Sequence, residues 1–343
     1  MAPGRKRFTK LQMGKESPAG TAVAATSIWR GVGNQMSDDQ VVEQIDELVG
    51  IAGGTDRSAV TALLAGIELA ETPMTYEQLQ YLLALAFGGP TAGIQDGSGS
   101  DYVYTTNVPE TAGPTAAPYT WEAGDDREAA EMEYAVCTEF TLKGQAGQTA
   151  KMAGKLIGRQ VTQSAFTGAL SAPSVEDSLV SKGKVYLDAV TGSYGGTQVA
   201  TQIIAYELKV ASKWSMLYSM DGQLYYTLPV WTGYEITGKL TFVHDSAVLR
   251  SGTGTAAGAK VHFAGQTPRL LRIDLIGGAV ATPGTTYSTK KVVLDLPIKY
   301  TKAGVLGEKD GISIVDMEFR SRYNLTKTDA GQFVIVNELV SLP

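Results

Sequence analysis

Residues 206–228 read YELKVASKWSMLYSMDGQLYYTL. Tyr206 to Ser219 and Gln223 to Leu228 are two candidate strands around Met220-Asp221-Gly222. Asp-Gly between apolar runs is a strong hairpin signal, because the tight turn needs positive φ. The same β texture extends outward on both sides. Tyr134 to Lys143, Lys151 to Val161, Lys184 to Val190, Gly233 to Val243 and Phe333 to Val340 read as strands. Leu271, Ile273 and Leu275 alternate with Arg272 and Asp274, and Val292, Leu294 and Leu296 alternate likewise. Val315, Met317, Phe319 and Tyr323 face one way while Asp316, Glu318, Arg320 and Arg322 face the other, as in a half-buried antiparallel strand with a charged outer face.

One helix is well signalled. Thr75 is a good N-cap, Gln78 completes a capping box, and Met74 with Leu79 can form a hydrophobic staple. Leu79, Leu82, Leu83, Ala86 and Phe87 make one apolar face, so a short amphipathic helix packed on a sheet is expected. Gly88 suits a left-handed C-terminal residue and Pro90 blocks continuation. Ala22 to Gly31 reads as a short strand, and Ser37 to Leu48 fits a helix or an irregular strand. Gly88 to Pro118 is a long Gly-, Thr-, Ala- and Pro-rich loop with a strand-like Tyr102-Val103-Tyr104 in its middle. One helix among many strands points to β-sandwich or barrel domains.

Composition narrows the function. With 343 residues, two domains and a full core are expected, with 39 Gly and 16 Tyr favouring strands and turns. The single Cys137 excludes a disulfide framework, and no apolar run is long enough for a membrane helix. Arg5, Lys6, Arg7, Lys10 and Lys15 against Glu16 give residues 1–20 a charge of +4, so the rest carries −6 − 4 = −10. So acidic a body argues against tight nucleic-acid binding. After Trp121 the acids Glu122, Asp125, Asp126, Glu128, Glu131 and Glu133 face only Arg127, either as a solvated edge or as an anionic lining.

No catalytic constellation emerges, and neither a cofactor nor a metal site is expected. His244-Asp245-Ser246 has the letters of a triad, but neighbours in a strand point to opposite faces. Gly252 to Lys260 and Gly154-Lys155 lack phosphate-loop spacing, and Asp125-Asp126 looks like a turn. Cys137 reads as a buried, inert thiol. Trp214, Tyr218, Tyr225 and Tyr226 could form a stacking platform or cross-strand pairs. Three ordered echoes suggest a duplication with a boundary near residue 195: Phe140–Lys143 with Tyr206–Lys209, Gly154–Leu156 with Gly238–Leu240, and Val185–Asp188 with Val292–Asp295.

Weak motifs in consistent order carry a family resemblance. They are Ala19-Gly20-Thr21-Ala22-Val23-Ala24-Ala25-Thr26, then Thr75-Tyr76-Glu77-Gln78-Leu79 with Leu82-Leu83 and Phe87-Gly88-Gly89. Tyr119 to Asp125, Phe140 to Gly144, Gly158 to Val161, Asp310-Gly311, Met317-Glu318-Phe319, Val336-Asn337 and Leu342-Pro343 follow. The chain thereby resembles the major tail tube proteins of long-tailed, siphovirus-type bacteriophages, in a tandem two-domain form. The resemblance implies a mainly β chain of two β-sandwich or barrel-like domains, each with a flanking short helix. The expected units are an N-terminal arm at 1–20, a first domain at 21–195 containing the loop 88–118, and a second at 196–343. It implies a structural virion protein located in the tail, and in host cytoplasm during assembly. Copies form stacked rings, trimeric with pseudo-six-fold symmetry rather than hexameric, around a barrel-lined channel. Expected partners are further copies, a tape-measure protein, other tail proteins at the tube ends, and DNA passing without tight binding.

An acidic lumen would repel phosphates, with Glu133, Glu139, Glu207 and Glu235 as its candidate lining. Arg5, Lys6, Arg7 and Lys10 of the arm and Tyr102 and Tyr104 of the loop are candidate inter-ring contacts. Removal of residues 1–15 is then expected to impair assembly and spare the fold. The alternatives are a two-domain β-sandwich adhesin, pilin-like or decoration protein, and, further off, a glycosidase using paired carboxylates.

Overall fold

The computed structural model describes residues 5–31, 35–245, 249 and 258–343. Ser246 of the triad-like run and residues 252–257 of the Gly-rich run lie outside the described residues. The fold is mainly β, with 52% of residues in strands and 7% helical. The first half carries β1 (Lys10–Lys15), β2 (Ser27–Ile28), β3 (Gln35–Gln44), β4 (Ser58–Pro73), α1 (Leu79–Phe87), β5 (Ile94–Gln95), β6 (Tyr102–Asn107), β7 (Tyr119–Gly124), β8 (Ala129–Gln145), β9 (Lys151–Gly158) and β10 (Val161–Ser164). The second carries β11 (Lys184–Ala189), β12 (Ile203–Leu217), β13 (Leu228–Val243), α2 (Ala259–Ala264), β14 (Arg269–Ala279), β15 (Thr289–Lys309), β16 (Ile312–Ser321) and β17 (Gln332–Asn337).

Eight strands make one broad antiparallel sheet in the order β3-β4-β9-β8-β12-β13-β16-β15. One face buries Ile67, Leu69, Leu142, Leu156, Leu208, Leu240, Met317 and Phe319 against the core. Two smaller sheets cover that face: β2-β1-β7-β8-β10, and β11-β14-β15-β17-β6-β5. β8 and β15 serve both layers, the start of each in a covering sheet and the end in the broad sheet. In β8 the change falls at Tyr134, where φ is 55°.

The two halves repeat one set of pairings. β1, β3, β4, β7, β8, β9 and β10 pair among themselves as β11, β12, β13, β14, β15, β16 and β17 do. Bulges align the sets residue by residue. The shift between Val41 and Val42 against Ala62 and Val60 recurs between Lys213 and Trp214 against Gly233 and Trp231. The extra residues, Thr61 and Thr232, donate their hydroxyls to the carbonyls of the matched Val41 and Lys213 (3.1 and 2.8 Å). Likewise the shift Cys137/Glu139 in β8 recurs as Tyr300/Lys302 in β15. The match makes Met36 equivalent to Leu208, Ala65 to Ile236, Glu139 to Lys302, Leu142 to Leu306, and Arg159 to Arg322.

Several expectations are corrected. The sequence echoes fall on non-equivalent strands: β8 with β12, which are neighbours, β9 with β13, and β11 with β15. They reflect a shared in-out alternation, which any half-buried strand shows. β11 pairs as β1 does, so the sets divide between β10 and β11, upstream of residue 195. The N-terminal segment is no free arm: β1 pairs with β7 and buries Leu11 and Met13. Ser37 to Gln44 belongs to strand β3, and the 22–31 strand shrinks to Ser27–Ile28. The 88–118 segment is no plain loop, since its β6 pairs with β17 of the other half.

Local signals fixed α1. Thr75 Oγ1 accepts from the Gln78 amide at 3.1 Å, but the expected capping box is only half made. Among the described residues the Gln78 side chain returns no bond to the Thr75 amide, and its Nε2 has no partner. The helix begins at Leu79 with Gln78 at its N-cap, and Gly88 closes it at φ 61°. All nine residues of α1 are buried, so it is not the half-exposed amphipathic helix its sequence suggests. Gln80 is half satisfied there: its Nε2 donates to the Pro90 carbonyl at 2.8 Å, while its Oε1 is buried without a partner among the described residues. The hairpin turn is wider than Asp-Gly alone implies: β12 ends at Leu217 and β13 begins at Leu228. Asp221 accepts from the Gln223 amide and the Thr227 hydroxyl inside that tip, with Gly222 at φ 83°.

Candidate assembly interface

The broad sheet stops at two edges. Among the described strands β3 pairs with β4 alone, and residues 302–309 of β15 pair with β16 alone. Long unpaired edges are templates for another chain. These two also expose apolar residues: Val41 and Val42 on β3, and Val305 (89% exposed) and Leu306 (60%) on β15. In the middle of the sheet the corresponding edges are joined. β12 lies on β8 with Leu208 opposite Leu142 and Ala211 opposite Glu139. This joint couples the first set to the second, and its matched partners, β15 and β3, are the two edges left over.

The solvent face of the broad sheet is a lattice of cross-strand ion pairs. Glu139 meets Lys209 at 2.8 Å, Glu207 meets Lys143 at 3.6 Å, and Glu235 meets Arg320 at 2.9 Å. Glu68, Glu71, Asp316 and Glu318 pair with Lys155, Lys151, Lys239 and Lys302. With Lys213, which pairs with Glu235, these pairs hold seven carboxylates and eight cations. Within these pairs the charges balance, so the acids of this face do not stand alone. Each exposed pair contributes about 0–1 kcal/mol, so the lattice sets surface chemistry more than stability. Glu139, Glu207 and Glu235 share this face. Glu133 does not: it sits at the bend of β8, where burial raises its pKa against the opposing pull of Arg159.

The other candidate residues separate. Lys10 lies over the Phe166 ring at 4.1 Å, and the Arg5 amide donates to Asp126 at 2.9 Å. Lys6, Arg7 and Lys10 line a groove with Trp29 and Arg30. Tyr104 is fully buried, its hydroxyl on the Leu339 carbonyl at 2.7 Å, so it is core and not a contact between rings. Tyr102 is half-buried against the same core. The aromatic quartet is no platform either: Trp214 donates to Ala86 and Tyr226 is buried, its hydroxyl on the Tyr134 carbonyl at 2.6 Å. His244 donates its amide to Ser313. Cys137 is buried, which pushes its thiol up to about 12.

One cluster was not foreseen from sequence. The tip of the second hairpin, residues 218–227, folds across the ends of β8 and β9. The Leu63 amide donates to Leu224 at 2.9 Å, and the tip is held by Arg159. The Arg159 guanidinium donates to the carbonyls of Gly20 (2.8 Å), Tyr226 (3.0 Å) and Thr227 (2.6 Å) and lies 4.5 Å over the Tyr134 ring. Behind it the Glu16 carboxylate accepts from the Gly20 and Tyr134 amides and the Thr120 hydroxyl. Burial raises the Glu16 pKa, against those bonds and the Arg159 charge. The available signal was Gly158-Arg159, a cation ending an apolar strand.

No family model and no curated protein matches the chain.

Proposed function

We propose that this is a self-assembling tube protein, whose copies close head to tail into rings that stack as the wall of a bacteriophage tail channel. The observation that carries the reading is the β8–β12 joint inside one chain, whose equivalent strands, β15 of one copy and β3 of the next, would meet in the same way. Interfaces of this head-to-tail kind close into rings when the rotation permits. Transferring the internal register sets Met36 opposite Leu306, as Leu208 faces Leu142, and Asp39 opposite Lys302, as Ala211 faces Glu139. Apolar thus meets apolar and acid meets base, the favourable cross-strand combinations.

Three copies of eight strands make a barrel of twenty-four. At about 4.8 Å per strand its wall is about 115 Å around before tilt is added. Porins of about 16–18 strands already enclose water, so this barrel holds a wide channel. Its lining is the ion-pair lattice. DNA then meets neither a basic groove that would hold it through phosphate contacts nor a uniformly acidic wall. Tape-measure and tube-end proteins remain the partners this reading implies.

Negative-stain microscopy and sedimentation of the purified chain test the reading. Hollow rings or tubes, and a species of three copies, are expected. Discrete single copies at high concentration would overturn it and favour an adhesin or decoration protein.

A further inference from the structure

We infer that the groove beside Arg322 is a docking site for the tip of the first hairpin, residues 43–57, of a neighbouring copy, an inference that rests on the ring reading above. Within one chain the matched site is occupied. Arg159 holds the tip of the second hairpin through the carbonyls of Tyr226 and Thr227, and that tip reaches on to Leu63 of β4. Arg322 stands at the equivalent place in the second set, one residue beyond Ser321 as Arg159 is one beyond Gly158. Around it is a groove of about 360 Å³, lined by Pro297, Lys299, Arg320, Arg322 and Tyr323. Pro297, Lys299 and Arg320 match Tyr134, Val136 and Ile157 in register, and of these Tyr134 lies against Arg159 and the Tyr226 hydroxyl in the occupied site. Equivalent positions therefore recur around Arg322, and among the described residues no hairpin of this chain lies in the groove.

Geometry selects the occupant. The two hairpins are equivalent, so strand pairing of β3 on the next copy's β15 carries the first tip toward this groove, as β12 on β8 carries the second tip to Arg159. Chemistry selects it too. Where the second tip offers Tyr225 and Tyr226, the first has Gly54 and Thr55, so aromatic packing on the guanidinium is lost. In exchange, residues 43–57 carry Glu43, Asp46, Glu47 and Asp56 against Arg57, a net charge of −3. The groove presents Lys299 and Arg322, together with Arg320, which also meets Glu235, and has no carboxylate among its lining residues. Counting back from the matched bulge threonines puts Asp56 in the place of Thr227, the residue whose carbonyl Arg159 reaches. The tip also exposes Leu48, Val49 and Ile51, which seating would cover. Opposed charges of this kind fix register and speed encounter.

The test uses the full chain with Arg322→Glu, Asp56→Arg and the two combined. Ring formation is followed by native mass spectrometry and microscopy across concentration, and circular dichroism checks the fold. Each single reversal should raise the concentration needed for rings at least tenfold, and the double reversal should recover most of that loss. A second readout is an Arg322→Cys, Asp56→Cys pair, expected to form a disulfide between copies under oxidation and none within a copy. Rings forming at wild-type concentration in both single variants, with no inter-copy disulfide, would overturn the docking site and leave the ring standing. A wild-type chain that forms no rings would overturn both.

Discussion

Replacing Arg159 by Met should release the tip of the second hairpin while the sandwich stays folded. The guanidinium makes three charge-assisted bonds to carbonyls, at 2.6 to 3.0 Å, and lies over three tyrosine rings, of which Tyr225 (5.2 Å) and Tyr226 (6.0 Å) belong to the tip. Bonds to a charged group contribute about 1.5–3 kcal/mol when buried. Two of these acceptors sit in a part-exposed tip that water can reach, so about 1 kcal/mol each is the better figure. The Gly20 bond and the Tyr134 ring do not hold the tip; the rings of Tyr225 and Tyr226 add about 0.5–1 kcal/mol each, so the contacts that do hold it total about 3–4 kcal/mol. Opening confined to the tip is a local event, so the midpoint of global unfolding moves far less than this sum. The assay is amide hydrogen exchange at Leu63, whose N–H reaches Leu224 only while the tip is docked. At about 1.4 kcal/mol per tenfold, exchange there should quicken by about 10²–10³. Unchanged protection at Leu63 in the folded variant would refute the clamp, and with it the template for the Arg322 groove.

A chain starting at residue 16 should be insoluble, because it lacks β1 with Leu11 and Met13, whereas one starting at residue 10 should fold; solubility and circular dichroism decide. Asp295→Ala should cost about 2–4 kcal/mol in urea unfolding, since it strands Arg272, which grips the buried Asp295 with two bonds of 2.6 and 2.7 Å. Glu16 titrates above its ordinary 4.5 in the folded chain, so its contribution is full below that value and lost as pH rises through the folded pKa. The stability difference between the wild type and Glu16→Gln should therefore shift in favour of the wild type as pH falls from neutral toward 5. Cys137 should ignore thiol reagents until the chain is unfolded, because it is buried and its thiol stays protonated.

What the sequence disclosed was what local rules govern. Thr75, Gln78 and Gly88 announced α1 because caps act within one turn. The alternation at Val315 to Phe319 announced β16 because one of its faces is core. β3 was ambiguous for the converse reason: QMSDDQVVEQ is exposed along most of its length, so no burial pattern was written into it. β1 reads as an arm in sequence because Arg5, Lys6 and Arg7 precede it and Lys10 and Lys15 sit at the exposed ends of a strand of only six residues. The pairing of β6 with β17 and the grip of Arg159 on Thr227 join residues far apart in the chain, and composition carries no trace of them. Three of the four acids chosen for the lumen do share one face, but their counter-charges lie on neighbouring strands and became visible only with the register.

The joint between β8 and β12 also has a consequence for how such a wall comes apart. In a ring of three copies every second seam is tethered by the chain itself, where the effective concentration of the partners is in the millimolar range or higher, and only the alternate seams answer to dilution. On the proposed ring the two kinds of seam differ in chemistry: the internal one sets tyrosines around Arg159, and the one between copies would set carboxylates opposite Lys299 and Arg322. Salt screens both kinds, since Glu139–Lys209 and Glu207–Lys143 cross the first, but only the second can come apart, because the first is joined through the chain. Concentrated salt should thus divide the wall into whole copies and never into halves, while heat attacks both seams together.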